Sequence, residues 1–202
     1  MKVVFIHGNN ATDHSFNYLV NEWDQLWETD RFLPDHMFLN YDSENGFYNN
    51  LETMKTQLEN EDEIFFVTHS LGGIYALHLA DHFKDTVFGC VSVSAPFGGS
   101  EAASYLGMLF PDQVYKDIGP YADPIHKASK FDVTIPWTAV VSTAGRSSMM
   151  RQLNDGVLTN ESMRARKDVE YVDINLNHFE VLLSYDLVTL VSNTVSHVAM
   201  VN

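Results

Sequence analysis

Short apolar runs alternate along the chain with longer segments in which apolar residues recur every three or four positions. Continuous apolar runs of this length predict β-strands that are covered on both faces. They lie at residues 3–6, 37–41, 64–68, 87–94, 137–142 and 169–174. The periodic segments predict amphipathic helices around residues 15–28, 45–60 and 71–83, and a last helix from about Phe179 through Val191. This alternation predicts an α/β fold, in which a parallel sheet with right-handed crossovers carries helices on both faces.

Residues 98–135 interrupt the alternation. They contain no strand pattern, and four prolines occur between Pro96 and Pro124. A connection this long inside a compact domain usually has a function, so we interpret it as a small lid over the site. One extra helix with a surface loop is the alternative interpretation, and both stay open at this point.

Composition limits the class of protein. With 202 residues, of which 45% are hydrophobic, the chain can bury one sizeable core, and residues 1–202 are expected to form a single domain. A net charge of −15 argues against nucleic acid or an anionic membrane as a partner. Because no leader and no apolar run near membrane-spanning length is present, we expect a cytoplasmic protein without stable membrane insertion. The pattern does not indicate an oligomeric state.

Ser70 lies between the third predicted strand and the helix that follows it, in the stretch "THSLGG". A connection this short forces a sharp turn, and the residue at its apex points its side chain away from both elements. That position suits a nucleophile. A serine hydroxyl is a poor nucleophile at neutral pH, so it needs a histidine base and a carboxylate that orients the histidine.

His178 is the best-placed base among the nine histidines, because it follows the last predicted strand at the same edge of the sheet as Ser70. Asp155, in an Asp-Gly turn after the fifth strand, is one candidate for the carboxylate. Asp173, at the end of the sixth strand, is its rival. His78 and His82 lie four positions apart on one helix, but no third ligand is evident, so we expect no metal site.

The stretch "VVFIHGNN" supplies a candidate oxyanion hole. It ends a buried strand at Gly8, where the backbone is expected to turn sharply. The backbone amide of Asn9 can then face that of Leu71 across Ser70. Two such donors stabilise a tetrahedral intermediate, and the loss of one typically costs about 3 kcal/mol.

These motifs together resemble the α/β-hydrolase fold, and within it the small lipases and esterases. The residues that carry the resemblance are His7-Gly8, "THSLGG" around Ser70, "APFGGS" at residues 95–100, "NDGVLT" around Asp155, and His178. The resemblance implies that Ser70 is the nucleophile, Asp155 the acid and His178 the base, with oxyanion-hole amides from Asn9 and Leu71. It also implies a reduced sheet of about six strands in the order 2-1-3-4-5-6, and no cofactor. Thr68 departs from the pattern, since the family usually has glycine two residues before the serine.

The leading hypothesis is therefore a serine hydrolase that cleaves small-molecule carboxylic esters through an acyl-enzyme on Ser70. A thioesterase or acyltransferase on the same fold is the first alternative, because water and other acceptors attack the same intermediate. A non-catalytic, hydrolase-like binding module is the second. We expect the acyl pocket to be lined partly by residues 98–135, Met149 and Met150.

Overall fold

The structure is a computed structural model that describes residues 1–27, 34–103, 113–147 and 150–201. The strands are β1 (Lys2–Ile6), β2 (His36–Leu39), β3 (Ile64–His69), β4 (Val87–Val93), β5 (Trp137–Ser142) and β6 (Glu170–Ile174). They form one six-stranded sheet in the order β2-β1-β3-β4-β5-β6, and every pairing is parallel. The predicted parallel sheet and its strand order are confirmed.

Helices pack on both faces of this sheet. Those with both ends inside the described ranges are α1 (Asn17–Trp27), α2 (Phe47–Leu58), α3 (Gly72–His82), α4 (Gln113–Asp117), α5 (Asp123–Ala128), α6 (Asn160–Met163) and α7 (Tyr185–Val201). Helices α1 and α7 share one core with the sheet, and α2, α3 and α5 share the other. The predicted covering of both sheet faces is confirmed.

Side chains along each strand alternate between the two cores. In β1, Val3 and Phe5 pack with α1 and α7, whereas Val4 and Ile6 pack with α2 and α3. A large apolar side chain buried in this way contributes about 1.5–3 kcal/mol to stability. Because both faces of the strands are covered, the strand sequences are continuously apolar rather than alternating, which is why they were recognisable.

Strand β2 ends at Leu39, so the prediction that it continues to Tyr41 is wrong. The reason is that Tyr41 contacts His7 instead of pairing with the neighbouring strand. The Tyr41 ring stacks on the His7 ring at 4.3 Å, and the Tyr41 amide donates to Nε2 of His7 at 3.3 Å. The chain therefore leaves the strand ladder to cover the end of β1.

The last helix begins at Tyr185, so the prediction that it starts near Phe179 is also wrong. A separate 3-10 turn, Glu180–Leu183, comes first. The side-chain carbonyl of Asn177 accepts from the amides of Phe179 and Glu180 at 3.0 and 2.9 Å, which begins a tighter turn than an α-helix. Phe179 and Leu183 fit the helical pattern, but their side chains are 64% and 61% exposed.

The segment at residues 98–135 contains α4 and α5. The part from 104 to 112 lies outside the described residues, so the lid and the alternative of a helix with a surface loop both stay predictions. No helix in the described ranges is long and apolar enough to cross a membrane.

Candidate active site

Loops at the carboxyl ends of four strands meet around one cavity. Parallel strands point the same way, so the loops after β1, β3, β5 and β6 lie at the same edge of the sheet. Gly8, Ser70, Gly156 and His178 come from these four loops, and all four line a cavity of about 360 Å³. The residues singled out in the sequence are thus brought to one place.

Ser70 occupies the apex of the turn between β3 and α3. Its φ of 52° lies in the left-handed region, which costs a non-glycine residue about 1–2 kcal/mol. The Ser70 amide donates to the carbonyl of Val93 at 2.8 Å and ties the turn to the end of β4. Glycine is required at position 72, because a Cβ there would lie 2.2 Å from the carbonyl oxygen of Ile6. The sharp turn expected from the sequence is present.

Thr68 fits this turn although the family usually has glycine there. Its side chain is fully buried, and its backbone pairs with both neighbouring strands. The backbone positions with no room for a Cβ are instead the two glycines after the serine, Gly72 and Gly73. A Cβ on Gly73 would lie 2.5 Å from the Cβ of Ala95, and Gly72 meets the backbone of β1. The threonine therefore lies before the point where the chain is most crowded.

Asp155 and His178 form a buried pair. Nδ1 of His178 donates to Oδ2 of Asp155 at 2.6 Å, and the His178 amide donates to the Asp155 carbonyl at 3.1 Å. Both side chains are almost completely excluded from solvent. Gly145 allows the Asp155 loop to approach, because a Cβ there would lie 2.1 Å from the carbonyl carbon of Asp155.

Four donors surround the Asp155 carboxylate. Oδ1 accepts from the amides of Val157 and Leu158 at 2.9 and 2.7 Å, and Oδ2 accepts from His178 and from the Ser142 hydroxyl at 2.5 Å. Burial raises the pKa of Asp155, but the hydrogen bonds and the charge of His178 outweigh it, so this pKa lies below its ordinary value. The carboxylate is therefore held in its ionised form.

Ser142 and Ser94 were missed by the sequence analysis. Ser142 ends β5, Ser94 follows β4, and their hydroxyl oxygens lie 2.7 Å apart. A signal was available, because each serine stands at the carboxyl end of a buried strand, as Ser70 does. Such positions face the site edge of a parallel sheet.

Ser70 and His178 line the same cavity, but no hydrogen bond joins their side chains in the described part of the chain. Catalytic hydrogen bonds are often long in a site without substrate and tighten when it binds. Since Nδ1 of His178 is engaged by Asp155, Nε2 is the nitrogen left to serve as a base.

The loop after β1 presents its amides beside Ser70. Nδ1 of His7 donates to the Gly8 carbonyl at 2.8 Å, and in a trans peptide the amide of Asn9 points the opposite way. A Cβ on Gly8 would lie 3.0 Å from the Cβ of Ser70, so the loop passes directly against the serine. Within the described ranges, neither Asn9 nor Leu71 donates its backbone amide to a protein group. Both amides are free for a ligand.

The His69 side chain lies next to His178 and is bonded to its backbone. Its Nε2 donates to the His178 carbonyl at 2.9 Å, and its Nδ1 is buried without a hydrogen-bond partner among the described residues. Burial, followed by the neighbouring His178, lowers the pKa of His69 to about 3. The ring is therefore neutral at ordinary pH, with its proton on Nε2.

The other candidates lie elsewhere. The Asp173 carboxylate, on β6, forms an ion pair with Arg164. Nε2 of His78 donates to the Pro124 carbonyl at 3.0 Å. Across the described ranges, no three His, Cys, Asp or Glu side chains are placed to hold a metal ion.

The cavity wall is mainly apolar. Its apolar side chains include Leu71, Ile118, Met150, Val157 and Leu182. Ile118 belongs to the 98–135 segment and Met150 was expected in the wall, whereas Met149 lies outside the described residues. A cavity of about 360 Å³ with few polar groups has the size and character of a site for a small organic molecule.

The sheet order and the turn that presents Ser70 define the α/β-hydrolase fold, and comparisons with solved structures show the same fold. The metagenomic carboxyl esterase MGS0156 is 16% identical with a TM-score of 0.70, and the match covers 100% of this chain and 76% of that one. The lipase BlEst2 from Bacillus licheniformis is 14% identical with a TM-score of 0.64, and the match covers 94% of this chain and 91% of that one. Phospholipase PlaB from Legionella pneumophila is 15% identical with a TM-score of 0.62, and the match covers 81% of this chain but only 46% of PlaB, so this chain spans less than half of PlaB.

No protein-family model and no curated protein matches the sequence. At the identities found among solved structures, the likeness establishes the fold, and the activity must be argued from the site.

Proposed function

We propose that the protein is a serine hydrolase that cleaves carboxylic esters through an acyl-enzyme formed on Ser70. The observation that carries the proposal is the buried Asp155–His178 pair, with Nδ1 and Oδ2 2.6 Å apart, at the wall of a cavity that Ser70 also lines. An apolar cavity beside a nucleophile suits the acyl part of an ester. Solved structures of the same fold include proteins described as a carboxyl esterase and a lipase, which favours this chemistry.

In the first half of the proposed reaction, Ser70 Oγ attacks the acyl carbonyl carbon and His178 Nε2 accepts the serine proton. The carbonyl oxygen becomes an oxyanion, which accepts hydrogen bonds from the Asn9 and Leu71 amides. The ionised Asp155 stabilises the imidazolium that forms. When the intermediate collapses, His178 gives its proton to the departing alcohol and leaves the acyl group on Ser70.

In the second half, a water molecule takes the place of the alcohol. His178 accepts a proton from this water, which attacks the acyl carbonyl, and the same two amides stabilise the second oxyanion. His178 then returns the proton to Ser70 Oγ, and the carboxylic acid leaves. The same residues serve both halves, because each half moves one proton through His178.

The proposal is tested by labelling with a fluorophosphonate and mapping the modified residue by mass spectrometry. We expect the label on Ser70, and Ser70→Ala should lose both labelling and hydrolysis of p-nitrophenyl esters, by roughly 10⁶ in kcat. Ser147 also lines the cavity, so Ser147→Ala is the matched control and should keep both. A label on another serine, or ester hydrolysis that survives in Ser70→Ala, would show that the assignment is wrong.

A further inference from the structure

Behind the Asp155–His178 pair lies a short chain of buried hydroxyl groups. Ser142 Oγ lies 2.5 Å from Oδ2 of Asp155, and Ser94 Oγ lies 2.7 Å from Ser142 Oγ. Both serines are completely excluded from solvent. The chain therefore runs Ser94, Ser142, Asp155, His178, from the interior of the sheet toward the cavity.

The direction of the hydrogen bonds in this chain follows from the chemistry of its members. A carboxylate can only accept, so the single hydroxyl proton of Ser142 points to Asp155. The other contact of Ser142, with the sulfur of Met163 at 3.7 Å, involves a much weaker acceptor. The Ser142 oxygen is then free to accept, and Ser94 donates to it. Hydrogen bonds aligned in this way strengthen one another in a buried site.

The backbone of Ser94 is strained at the point where its hydroxyl group bonds to Ser142. Its φ of 51° is in the left-handed region, as is that of Ser70, and its amide donates to the Val140 carbonyl at 2.9 Å. A non-glycine residue adopts such a conformation only where its surroundings hold it there. The strain turns the chain out of β4 at the point where the Ser94 hydroxyl meets Ser142.

We propose that Ser142 is a positioning residue, supported by Ser94, which holds Oδ2 of Asp155 in place for its hydrogen bond with His178. The inference rests on the proposed function, since it concerns how the base of that reaction is oriented. Oδ1 is already fixed by the Val157 and Leu158 amides, so Ser142 completes the set that prevents the carboxylate from rotating. Ser142 does not touch the cavity, and it acts only through Asp155.

Ser142→Ala should lower kcat by roughly ten- to hundredfold, the range expected when a hydrogen bond to a charged group is lost. KM should change little. The acid limb of the kcat/KM profile should move to higher pH, because a carboxylate with one donor fewer is more basic. Among the described residues, the ionisable side chains next to Asp155 are His178 and, beyond it, His69, whose ring centre lies 4.8 Å from that of His178. Ser142→Cys, which keeps a weak donor, should fall between wild type and Ser142→Ala.

Ser94→Ala should have a smaller effect in the same direction, and no further effect in a Ser142→Ala background, since it acts only through Ser142. Ser92 supplies the matched control. It is a buried serine two positions away, and its hydroxyl accepts from Nε1 of Trp137 at 2.9 Å. Ser92→Ala should lower the melting temperature without moving the pH profile. The proposal would be overturned if Ser92→Ala shifted the pH profile, or if the effects of Ser94→Ala and Ser142→Ala were additive.

A second measurement separates this proposal from the proposed function. The proton on Nδ1 of His178 should give a far-downfield ¹H NMR signal, as protons in short histidine–carboxylate hydrogen bonds do, and Ser142→Ala should shift or broaden it. This readout needs no turnover, so it remains usable if the wild-type protein hydrolyses no ester. An unchanged signal together with an unchanged pH profile would mean that Ser142 is only a packing residue.

Discussion

The carboxylate of Asp155 shows how single residues are held at this site. Each of its oxygens accepts two hydrogen bonds, and three of the four donors come from the same loop or from the adjacent strand β5. A carboxylate surrounded by this many donors stays ionised and keeps one orientation. Asp173 is held differently, by one exposed ion pair with Arg164. The two acidic residues should therefore respond differently to the same substitution.

We expect Asp155→Asn to reduce kcat by about 10⁴, because the amide stabilises the wrong tautomer of the histidine. Asp173→Asn removes an exposed ion pair, an interaction that contributes about 0–1 kcal/mol, and should reduce kcat less than about tenfold. The measurement is steady-state hydrolysis of a p-nitrophenyl ester by both variants. The reverse order of effects would move the acid to Asp173 while leaving Ser70 and His178 in their proposed roles.

At the scale of the elements, the turn between β3 and α3 places the serine. Two steric features are combined in this turn. Ser70 takes a left-handed conformation, and Gly72 lets the start of α3 lie against the backbone of β1. Since β1 also leads into the loop at Gly8, the packing of α3 on β1 sets the position of the serine relative to the Asn9 amide.

Gly72→Ala should therefore impair both stability and turnover. The new Cβ would lie 2.2 Å from a backbone oxygen, which cannot rotate away, so the turn has to move. Overpacking of this kind typically costs about 1–3 kcal/mol. We expect a lower urea midpoint and, in protein that is still folded, a clear loss of ester hydrolysis.

Gly46→Ala is the control for Gly72→Ala. Gly46 has a φ of 81°, and its nearest neighbour, a flexible Gln113 side chain, would lie 3.6 Å from the new Cβ. The Gly46 ψ of 154° places this residue in a region that almost only glycine adopts, so the substitution should cost about 1–3 kcal/mol of backbone strain and leave turnover unchanged. Full activity in folded Gly72→Ala would show that the turn tolerates displacement.

At the scale of the whole molecule, several histidines are buried in neutral form. Burial is the main cause that lowers the pKa of His7, His69 and His78, and for His69 the value falls to about 3. In the unfolded chain a histidine titrates near 6.5. Between these values the unfolded state binds a proton that the folded state does not, so acid favours unfolding.

The free energy of unfolding should therefore fall as the pH drops below about 6.5, with a slope of up to about 1.4 kcal/mol per pH unit for each such histidine. His69→Gln should reduce this slope between pH 6.5 and 4, measured by urea denaturation at several pH values. His126→Gln, which replaces an exposed histidine on α5, is the control for the loss of an imidazole as such. Equal slopes in wild type and His69→Gln would contradict the neutral state of His69.

The elements that the sequence predicts well are those whose signal is local. Strands are continuously apolar because both faces of the parallel sheet are covered. Phe47, Leu51, Met54 and Leu58 recur at helical spacing because one face of a helix is buried against the sheet, and the structure has α2 where that spacing predicts it. The two errors, at Tyr41 and at the start of the last helix, arise where a side chain binds the backbone: the ring of His7, 34 positions before Tyr41, and the side chain of Asn177, two positions before Phe179. Neither the His7 ring nor the Asn177 turn leaves a periodic signal.

The sequence alone determined the alternation of strands and helices, the turn that presents Ser70, and the loops that carry Asp155 and His178. These depend on short-range spacing, and the strand order followed from the family resemblance. Only the tertiary structure decided that Asp155 rather than Asp173 lies against His178, and that Ser94 and Ser142 stand behind it. Ser142 and Ser94 are 48 positions apart, and Asp155 and His178 are 23 apart. Contacts across such distances depend on how the crossovers bring strand ends together, which no local pattern records.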